Sequence, residues 1–372
     1  MDVLSAGMDS DASQSRRGFL AAMAGTTAAL AGCSTGYADS ANRDDGAPND
    51  SASADVPEPS GDVRYTETYR EVAPSVTTVR VSGASGLGQG SGAVVDDRHV
   101  VTNQHVVAGA DEASVVYTDG SYADAEIRGT DVYSDLAVLE VDHPNDPPAL
   151  EFATEDPPVG REVIVVGTPF GVGESVTSGI VSGVDRSLPG PQGFPIPDTV
   201  QTDAAANPGN SGGPLVALDG TPLGLVNAAA GNDITFAISG ALMARVVPAL
   251  IEDGEFEHTF VGIGIRELSP ASARANDLET VRGVYVHEVF DDAPAEGVLE
   301  GSDGGTRAGG RRVPTGGDVI LAVDGTRVRG PGQFGSYLAL QTSPGDTVTL
   351  TVLRDGEERD VEVTLGTRPE RR

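Results

Sequence analysis

Short runs of mostly apolar residues alternate with turn-forming pairs from about residue 63 to residue 257. Ala113–Tyr117 and Leu136–Leu139 are typical of the runs, and Asp119-Gly120 is typical of the turns between them. Runs of this length and spacing indicate short antiparallel strands, because helices and helix-connected parallel strands need longer periodic segments. The pattern therefore predicts an antiparallel barrel or sandwich over residues 63–257.

A second β-rich module is predicted over residues 258–368. Residues 347–353 alternate along a strand that ends at the turn Asp355-Gly356, which is a hairpin signal. The large apolar side chains of residues 334–340 have helical spacing instead. This part of the chain therefore combines several strands with short helices, and the chain is long enough for two folded units and tails.

The charge balance of the chain is strongly acidic. Of 372 residues, 56 are acidic and 24 are Lys or Arg, all of them arginine, and the formal net charge is −32. Such a surface repels phosphate backbones and anionic headgroups, so the balance excludes nucleic acid and a bare anionic membrane as partners. In a chain with a clear core pattern, this balance is typical of adaptation to molar salt, where charges are screened over ~3 Å.

The first 33 residues are predicted to be an export signal. Arg16-Arg17 precede an apolar segment over residues 19–32, which is too short to span about 30 Å of hydrocarbon as a helix. Paired arginines before such a segment resemble a twin-arginine signal, and Leu30–Cys33 resembles a lipobox in which Cys33 carries lipid. Residues 34–62 are small and polar, which predicts a flexible linker. With the composition, these features predict a protein of a halophilic archaeon, exported by the twin-arginine route and lipid-anchored on the outer face of the cytoplasmic membrane.

Three segments carry residue types suited to nucleophilic catalysis. His105 follows an apolar stretch, Asp135 precedes an apolar strand, and Ser211 lies within the glycine-rich segment Gly209–Gly213. A serine hydroxyl needs a base to remove its proton, and an imidazole held by a carboxylate does so near pH 7. Glycines on both sides of Ser211 also allow a tight turn whose backbone amides can bind an oxyanion.

The segments Thr102–Val107, Ser134–Leu139 and Gln201–Leu215 resemble the signature blocks of the HtrA/Deg serine proteases. The resemblance covers the chain from about Tyr65 to its C-terminus. It implies a mainly β fold, with a chymotrypsin-like double β-barrel followed by a PDZ domain, which is a β-sandwich with short helices. It implies no metal and no cofactor.

The same resemblance assigns roles around the nucleophile. His105 is expected to be the general base, Asp135 its orienting partner and Ser211 the nucleophile. The oxyanion hole is expected from the amides of Gly209, Asn210 and Ser211. The primary substrate pocket is expected from four residues: Ala205, Leu225, Val226 and Asn227. Because Ala205 carries no charge, we expect cleavage after small or medium aliphatic residues and no trypsin-like preference for Arg or Lys. Pocket size discriminates by only ~1–3 kcal/mol per methylene, so the specificity is expected to be loose.

The second module resembles the PDZ domain that follows the protease in this family. In PDZ domains a loop takes the carboxylate of a peptide C-terminus, and the peptide adds as a strand to a sheet edge. By resemblance, the loop consists of Phe260, Val261, Gly262 and Ile263. Residues 300–316 interrupt the family pattern, and their glycines and arginines indicate a flexible surface insertion. A homotrimer is expected from the family.

These observations favour a serine endopeptidase that degrades misfolded or unfolded exported proteins through an acyl-enzyme, with peptide C-termini bound by the PDZ domain. Two alternatives stay open: a non-proteolytic chaperone or peptide-binding factor, and a regulatory protease triggered by a specific peptide. The remaining histidines have no metal-ligand spacing and are predicted to be surface or packing residues: His99, His143, His258 and His287.

Overall fold

The computed structural model describes residues 63–84, 86–168, 175–190, 194–229, 234–308 and 310–369. The predicted export signal, Cys33 and the predicted linker of residues 34–62 lie outside these segments. No helix within the described segments is both long enough and apolar enough to cross a bilayer.

Six antiparallel strands form a first closed barrel. They are β1 (Val76–Gly83), β2 (Gly86–Val94), β3 (His99–Asn103), β4 (Ala110–Val116), β5 (Tyr122–Asp131) and β6 (Leu136–Val141). Helix α1 (Val63–Val72) and a 3₁₀ turn (Ala73–Ser75) precede the barrel, and the one-turn helix α2 (Gln104–Val107) follows β3. The spatial order is β1-β2-β3-β6-β5-β4. The interior is filled mainly by valine, as the low aromatic content requires.

Six further strands form a second closed barrel. They are β7 (Glu162–Gly167), β8 (Ser175–Pro189), β9 (Pro195–Thr202), β10 (Pro214–Ala217), β11 (Pro222–Ala229) and β12 (Thr235–Ser239). Their spatial order is β10-β11-β12-β9-β8-β7. Helix α3 (Gly240–Glu252) follows, and the Ser239 side chain caps it by accepting from the Leu242 amide at 3.0 Å. The apolar face of α3 packs in a core that contains residues of both barrels, including Leu136 and Leu225.

The C-terminal module contains one main antiparallel sheet and two small two-stranded sheets. The strands of the module are β13 (Thr259–Phe260), β14 (Ile263–Glu267), β15 (Val284–Val289), β16 (Gly304–Ala308), β17 (Arg311–Thr315), β18 (Val319–Val323), β19 (Thr326–Arg327), β20 (Thr347–Arg354), β21 (Glu357–Thr364) and β22 (Gly366–Thr367). Its helices are α4 (Pro270–Ala275) and α5 (Pro331–Gln341). The main sheet has the order β14-β15-β18-β20-β21, β19 pairs with β18, and β14 forms one edge. The small sheets are β13–β22 and β16–β17. The two closed barrels and the following β-rich module with short helices confirm the predicted mainly β architecture.

Helix α5 packs between its own sheet and the second barrel, against β8 and β9. The Arg245 guanidinium on α3 donates to the carbonyls of Leu340 at 2.6 Å and Thr342 at 2.8 Å. Gln333 on α5 donates to the Asp185 carboxylate on β8 at 3.2 Å. These contacts hold the C-terminal module against the second barrel.

The insertion at residues 300–316 differs from the expectation of a flexible segment. Most of it forms the antiparallel hairpin β16–β17. The Asn276 side chain, just after α4, donates to the Pro314 carbonyl at 3.2 Å and accepts from the Gly316 amide at 2.9 Å. Strand pairing and these bonds satisfy the backbone of a segment whose composition indicates only a loop.

Candidate active site

His105 lies on α2, where the end of β3 meets the loop before β6. The His105 amide donates to Oδ1 of Asp135 at 2.9 Å, and Nδ1 of its ring lies 2.6 Å from Oδ2. The Gln104 amide and the Asn103 side chain both donate to the Asp135 carbonyl, at 3.1 and 3.2 Å. These four hydrogen bonds fix residues 103–105 relative to Asp135, with Nδ1 of His105 toward the carboxylate. Nε2 of His105 has no hydrogen-bond partner among the described residues.

Asp135 is buried, with only 2% of its surface exposed. Its backbone has a φ of +54°, in the left-handed region that aspartate tolerates better than most residues. The Asn227 side chain on β11 also donates to Oδ2, at 2.6 Å. A buried carboxylate with a ring nitrogen and an amide on one oxygen is suited to hold an imidazolium cation.

Ser211 lies on the loop between β9 and β10. Its hydroxyl donates to the Asn227 carbonyl at 3.0 Å, and none of the hydrogen bonds in the described segments joins it to His105. Asn227 therefore contacts both ends of the candidate triad, through its side chain at Asp135 and its carbonyl at Ser211. The sequence indicates this residue only as a pocket wall, because its role depends on β11 passing beside both loops.

Ser91 on β2 supports the nucleophile loop from the first barrel. Its amide donates to the Ser211 carbonyl and its hydroxyl to the Gly209 carbonyl, both at 2.7 Å. Gly212 has a φ of +86°, and a Cβ there would lie 2.0 Å from the Ser91 carbonyl oxygen. Only glycine fits at this close approach of the two barrels.

The amides at the nucleophile loop divide into free and occupied donors. The Gly209 and Ser211 amides donate to no acceptor among the described residues, whereas the Asn210 amide donates to the Asn207 carbonyl at 2.9 Å. The expectation that Asn210 contributes to the oxyanion hole is therefore not supported, because its hydrogen is used within the turn. Two amides remain, and they flank the nucleophile as an oxyanion hole requires.

Two of the expected pocket residues are core residues instead. Leu225 is 0% exposed between the two barrels, and Val226 is 1% exposed inside the second barrel. Adjacent side chains of a strand point to opposite faces, and both faces of β11 are covered here. The side chains of Leu225 and Val226 are therefore not available to line the substrate pocket. Ala205 is exposed, and its carbonyl accepts from the Thr177 hydroxyl at 2.6 Å.

The expected carboxylate loop connects β13 to β14. The Val261 carbonyl accepts from the Ala295 amide at 3.0 Å and the Gly262 carbonyl from the Phe290 amide at 2.9 Å. Gly262 has a φ of +81°, and a Cβ there would lie 2.2 Å from the Ala293 side chain. Phe260 and Ile263, at the two ends, are half-buried. The carbonyls thus face the module, and the amides of Val261 and Gly262 donate to no acceptor in the described segments.

A second histidine–aspartate pair lies beside the triad. His258 Nε2 is 2.7 Å from Oδ2 of Asp131, four residues before Asp135, and both side chains are buried. Asp131 also accepts from the amide of Ser134 at 2.9 Å and from its hydroxyl. Burial tends to raise the pKa of Asp131, but the hydrogen bonds and charge from His258 and the bonds from Ser134 outweigh it and lower that pKa. The spacing of the histidines predicts only packing for His258, because its partner is distant in sequence.

Comparisons with known proteins agree with this geometry. Residues 90–225 match the family model described as a trypsin-like peptidase domain, and residues 260–365 match that of the PDZ domain. The chain is 37% identical over 287 residues to a probable periplasmic DegP-like serine endoprotease of Halomonas elongata, covering 76% of this chain and 57% of that protein. It is 34% identical over 286 residues to a probable periplasmic do/HhoA-like serine protease of Haemophilus influenzae, covering 75% and 58%. The chain thus spans slightly more than half the length of these curated relatives.

Solved structures give the same assignment. The HtrA-type protease AlgW, solved with a tripeptide, is 32% identical and superposes with a TM-score of 0.65, covering 82% of this chain and 98% of that chain. A serine endoprotease from Yersinia pestis is 28% identical with a TM-score of 0.58, covering 82% and 98%. Both similarities extend over the barrels and the C-terminal module together.

Proposed function

The chain belongs to the HtrA-type proteases, and on this premise we propose that it is a serine endopeptidase that cleaves unfolded or misfolded exported polypeptides. The observation that carries the proposal is the network that joins Asp135 to both His105 and Ser211 through Asn227. Asp135 is sealed from water, whereas His105 is open to it. One end of the network is therefore fixed inside the protein, while the other end can meet a substrate.

Acylation begins when the Ser211 hydroxyl leaves the Asn227 carbonyl and turns toward Nε2 of His105. His105 takes the hydroxyl proton as Oγ attacks the scissile carbonyl, and Asp135 stabilises the imidazolium. The C–N bond breaks as His105 returns this proton to the leaving amine, which leaves an ester on Ser211. Water, deprotonated by His105, then hydrolyses the ester and restores the free hydroxyl.

The amides of Gly209 and Ser211 hold the negative oxygen of the tetrahedral intermediate. Each donor of this kind is worth about 10²–10³ in rate. Ala205 forms the base of the primary pocket and favours a small or medium aliphatic side chain before the scissile bond. Such side chains are exposed in unfolded chains, which gives the enzyme its class of substrate.

The C-terminal module binds peptide C-termini. The loop Phe260–Ile263 supplies amides for the terminal carboxylate, and the peptide adds to the free edge of β14 opposite α5. Following the family and the N-terminal sequence, we further propose a homotrimer, exported by the twin-arginine route and held at the membrane by lipid on Cys33.

A regulatory protease triggered by a peptide is the second candidate, and one observation favours it. The Ser211 hydroxyl is bonded to Asn227 and not to His105, so the nucleophile must reorient before it can react. A regulatory enzyme would show little cleavage alone and a large increase when a peptide with an apolar C-terminus is added. A general protease would cleave the same unfolded substrate without the peptide.

The decisive experiment is cleavage of an unfolded model protein at high KCl, with products mapped by mass spectrometry. Ser211→Ala should lower the rate by about 10⁶. Ser178→Ala, which removes an exposed hydroxyl from β8, is the matched control and should cleave as the wild type does. Cleavage by Ser211→Ala would refute the nucleophile. No cleavage by the wild type, with or without added peptides, would favour a peptide-binding factor.

A further inference from the structure

We propose that the hairpin β16–β17 is a docking site for acidic polypeptide, placed to select substrate tails with acidic residues upstream of their C-terminus. This inference rests on the proposed peptide binding by the module. The sign of the local charge is reversed at this hairpin. Residues 304–317 contain three arginines and no acidic residue, in a chain with 56 acidic residues and a net charge of −32.

The three arginines are concentrated on one small element. Arg307 and Arg312 lie directly opposite each other in the antiparallel register, and Arg311 is the neighbour of Arg312. All three are exposed, and none of them takes part in an ion pair within the described segments. Like charges directly opposite on a sheet destabilise it. The fold itself therefore gains nothing from this arrangement, whereas a bound carboxylate would relieve the repulsion.

The hairpin is held firmly enough to present these side chains as a preformed surface. Val313 is buried, and the Ser302 hydroxyl donates to the Thr315 carbonyl at 2.9 Å. The Tyr285 hydroxyl donates to the Gly316 carbonyl at 2.6 Å, and α4 packs against β17. An ordered hairpin loses less conformational entropy on binding than a flexible segment does.

The position of the hairpin indicates which part of a bound peptide would contact it. A peptide that adds antiparallel to β14, with its carboxylate at the loop Phe260–Ile263, runs its upstream residues toward Glu267. The helix α4 begins three residues later, at Pro270, and the hairpin packs on this helix. Since a strand rises about 3.3 Å per residue, residues roughly six to nine positions before the C-terminus reach this end of the module.

High salt does not abolish recognition of this kind. At molar ionic strength the screening length is ~3 Å, so charges act only in direct contact. Arginine retains its value there, because its fork donates two parallel hydrogen bonds to one carboxylate. The hairpin should therefore discriminate by contact, and not by long-range attraction to the substrate.

The test measures binding of labelled peptides to the full chain carrying Ser211→Ala, which prevents cleavage. Two peptides share an apolar C-terminal residue and differ only upstream, with about four aspartates or about four asparagines in the region that reaches the hairpin. The variant Arg307→Gln/Arg311→Gln/Arg312→Gln should lower the affinity for the acidic peptide about tenfold and change the affinity for the neutral peptide less than about twofold. The control Arg70→Gln/Arg80→Gln/Arg359→Gln makes the same change in net charge at exposed positions elsewhere and should leave both affinities within about twofold.

Charge reversal supplies a second, independent readout. Arg307→Glu/Arg312→Glu should reject the acidic peptide and gain affinity for a peptide with arginines in its place, which a merely unfolded hairpin would not do. Equal weakening of the acidic peptide by the hairpin variant and the control would overturn the proposal, because net charge alone would then explain it. Equal affinity of the wild type for acidic and neutral peptides would also overturn it. Failure of every peptide to bind would refute the groove on β14, and the hairpin proposal with it.

Discussion

The loop from Asp131 to Asp135 presents an aspartate at each end, and each aspartate holds a histidine from a different part of the chain. Asp135 lies 2.6 Å from Nδ1 of His105, and Asp131 lies 2.7 Å from Nε2 of His258. The His105 side chain is 46% exposed, whereas the His258 side chain is 5% exposed. The two pairs thus consist of the same residue types at nearly the same N···O distance, and they differ in the exposure of the histidine to solvent.

The buried pair is enclosed by aromatic rings and by the end of the chain's last strand. Phe256 and Tyr133 meet the His258 ring edge-on, with centroids 4.8 and 5.4 Å away. Arg368 lies over Tyr133, and its amide donates to the His258 carbonyl at 2.8 Å. A histidine–aspartate pair is therefore not a sign of catalysis by itself. It becomes a base only where the second ring nitrogen can reach a substrate, and otherwise it fixes a loop.

The largest expected difference between the pairs is in the rate of cleavage. Asp135→Asn should lower kcat by about 10⁴, because an amide facing Nδ1 favours the wrong tautomer of His105. Asp131→Asn, the same change four residues away, should lower kcat of the folded enzyme by less than about tenfold, since Asp131 touches no reacting group. Initial rates on an unfolded substrate, corrected for the folded fraction by circular dichroism, measure both. Equal losses in kcat would show that the two pairs act as one catalytic unit.

The His258–Asp131 pair is expected to matter for stability. His258→Ala should lower the free energy of unfolding by about 3–5 kcal/mol, because it leaves a buried carboxylate without its partner. His99→Ala removes the partner of Asp96 in a more exposed pair, with 13% and 39% of the two side chains exposed, and should cost only about 0–1 kcal/mol. Denaturant unfolding at fixed salt gives both values. A loss for His258→Ala as small as that for His99→Ala would contradict the assignment of His258 as a structural anchor.

The sequence predicts the candidate catalytic residues better than it predicts the residues that position and support them. His105, Asp135 and Ser211 lie in local patterns that favour their roles, and the structure places Asp135 in contact with His105 and, through Asn227, with Ser211. Residues 131 and 258 are distant in sequence, and no local pattern pairs them. Such contacts depend on how the strands close into barrels, which hydrophobic periodicity does not specify.

The errors have similar physical causes. The resemblance places Leu225 and Val226 at the pocket, but a strand between two cores buries the side chains on both of its faces. The insertion at 300–316 is predicted to be a flexible surface segment because it is rich in glycine and arginine. Its pairing is stabilised by Asn276 and Tyr285, which belong to other elements. Both cases show tertiary context overriding local preference.

Replacing Asn227 should have a smaller effect on kcat than replacing Asp135. Asn227→Ala removes the 2.6 Å bond to Asp135 and keeps the backbone carbonyl that accepts from Ser211. A lost hydrogen bond to a charged group costs about 1.5–3 kcal/mol, so kcat should fall roughly 10–100-fold. KM for a substrate held by the C-terminal module should stay unchanged. A change in KM with unchanged kcat would instead assign Asn227 to substrate binding.

The smallest expected effect is on the pH dependence of stability. It distinguishes Asp131 from Asp198, a second buried aspartate whose pKa is shifted in the opposite direction. Burial raises the pKa of Asp198, against the hydrogen bond from Ser239, whereas the pKa of Asp131 is lowered. The contribution of Asp131 to stability is present above its unfolded pKa of about 3.9 and is lost as pH falls through its lower folded value. The contribution of Asp198 to stability is complete below about pH 3.9 and is lost as pH rises through its raised folded pKa.

Asp131→Asn should therefore lower the melting temperature at pH 7 and lower it much less at about pH 3. Asp198→Asn should raise the melting temperature at pH 7 and leave it nearly unchanged at about pH 3. Melting curves for the two variants that shift in the same direction at pH 7 would contradict the opposite electrostatic environments of the two carboxyl groups.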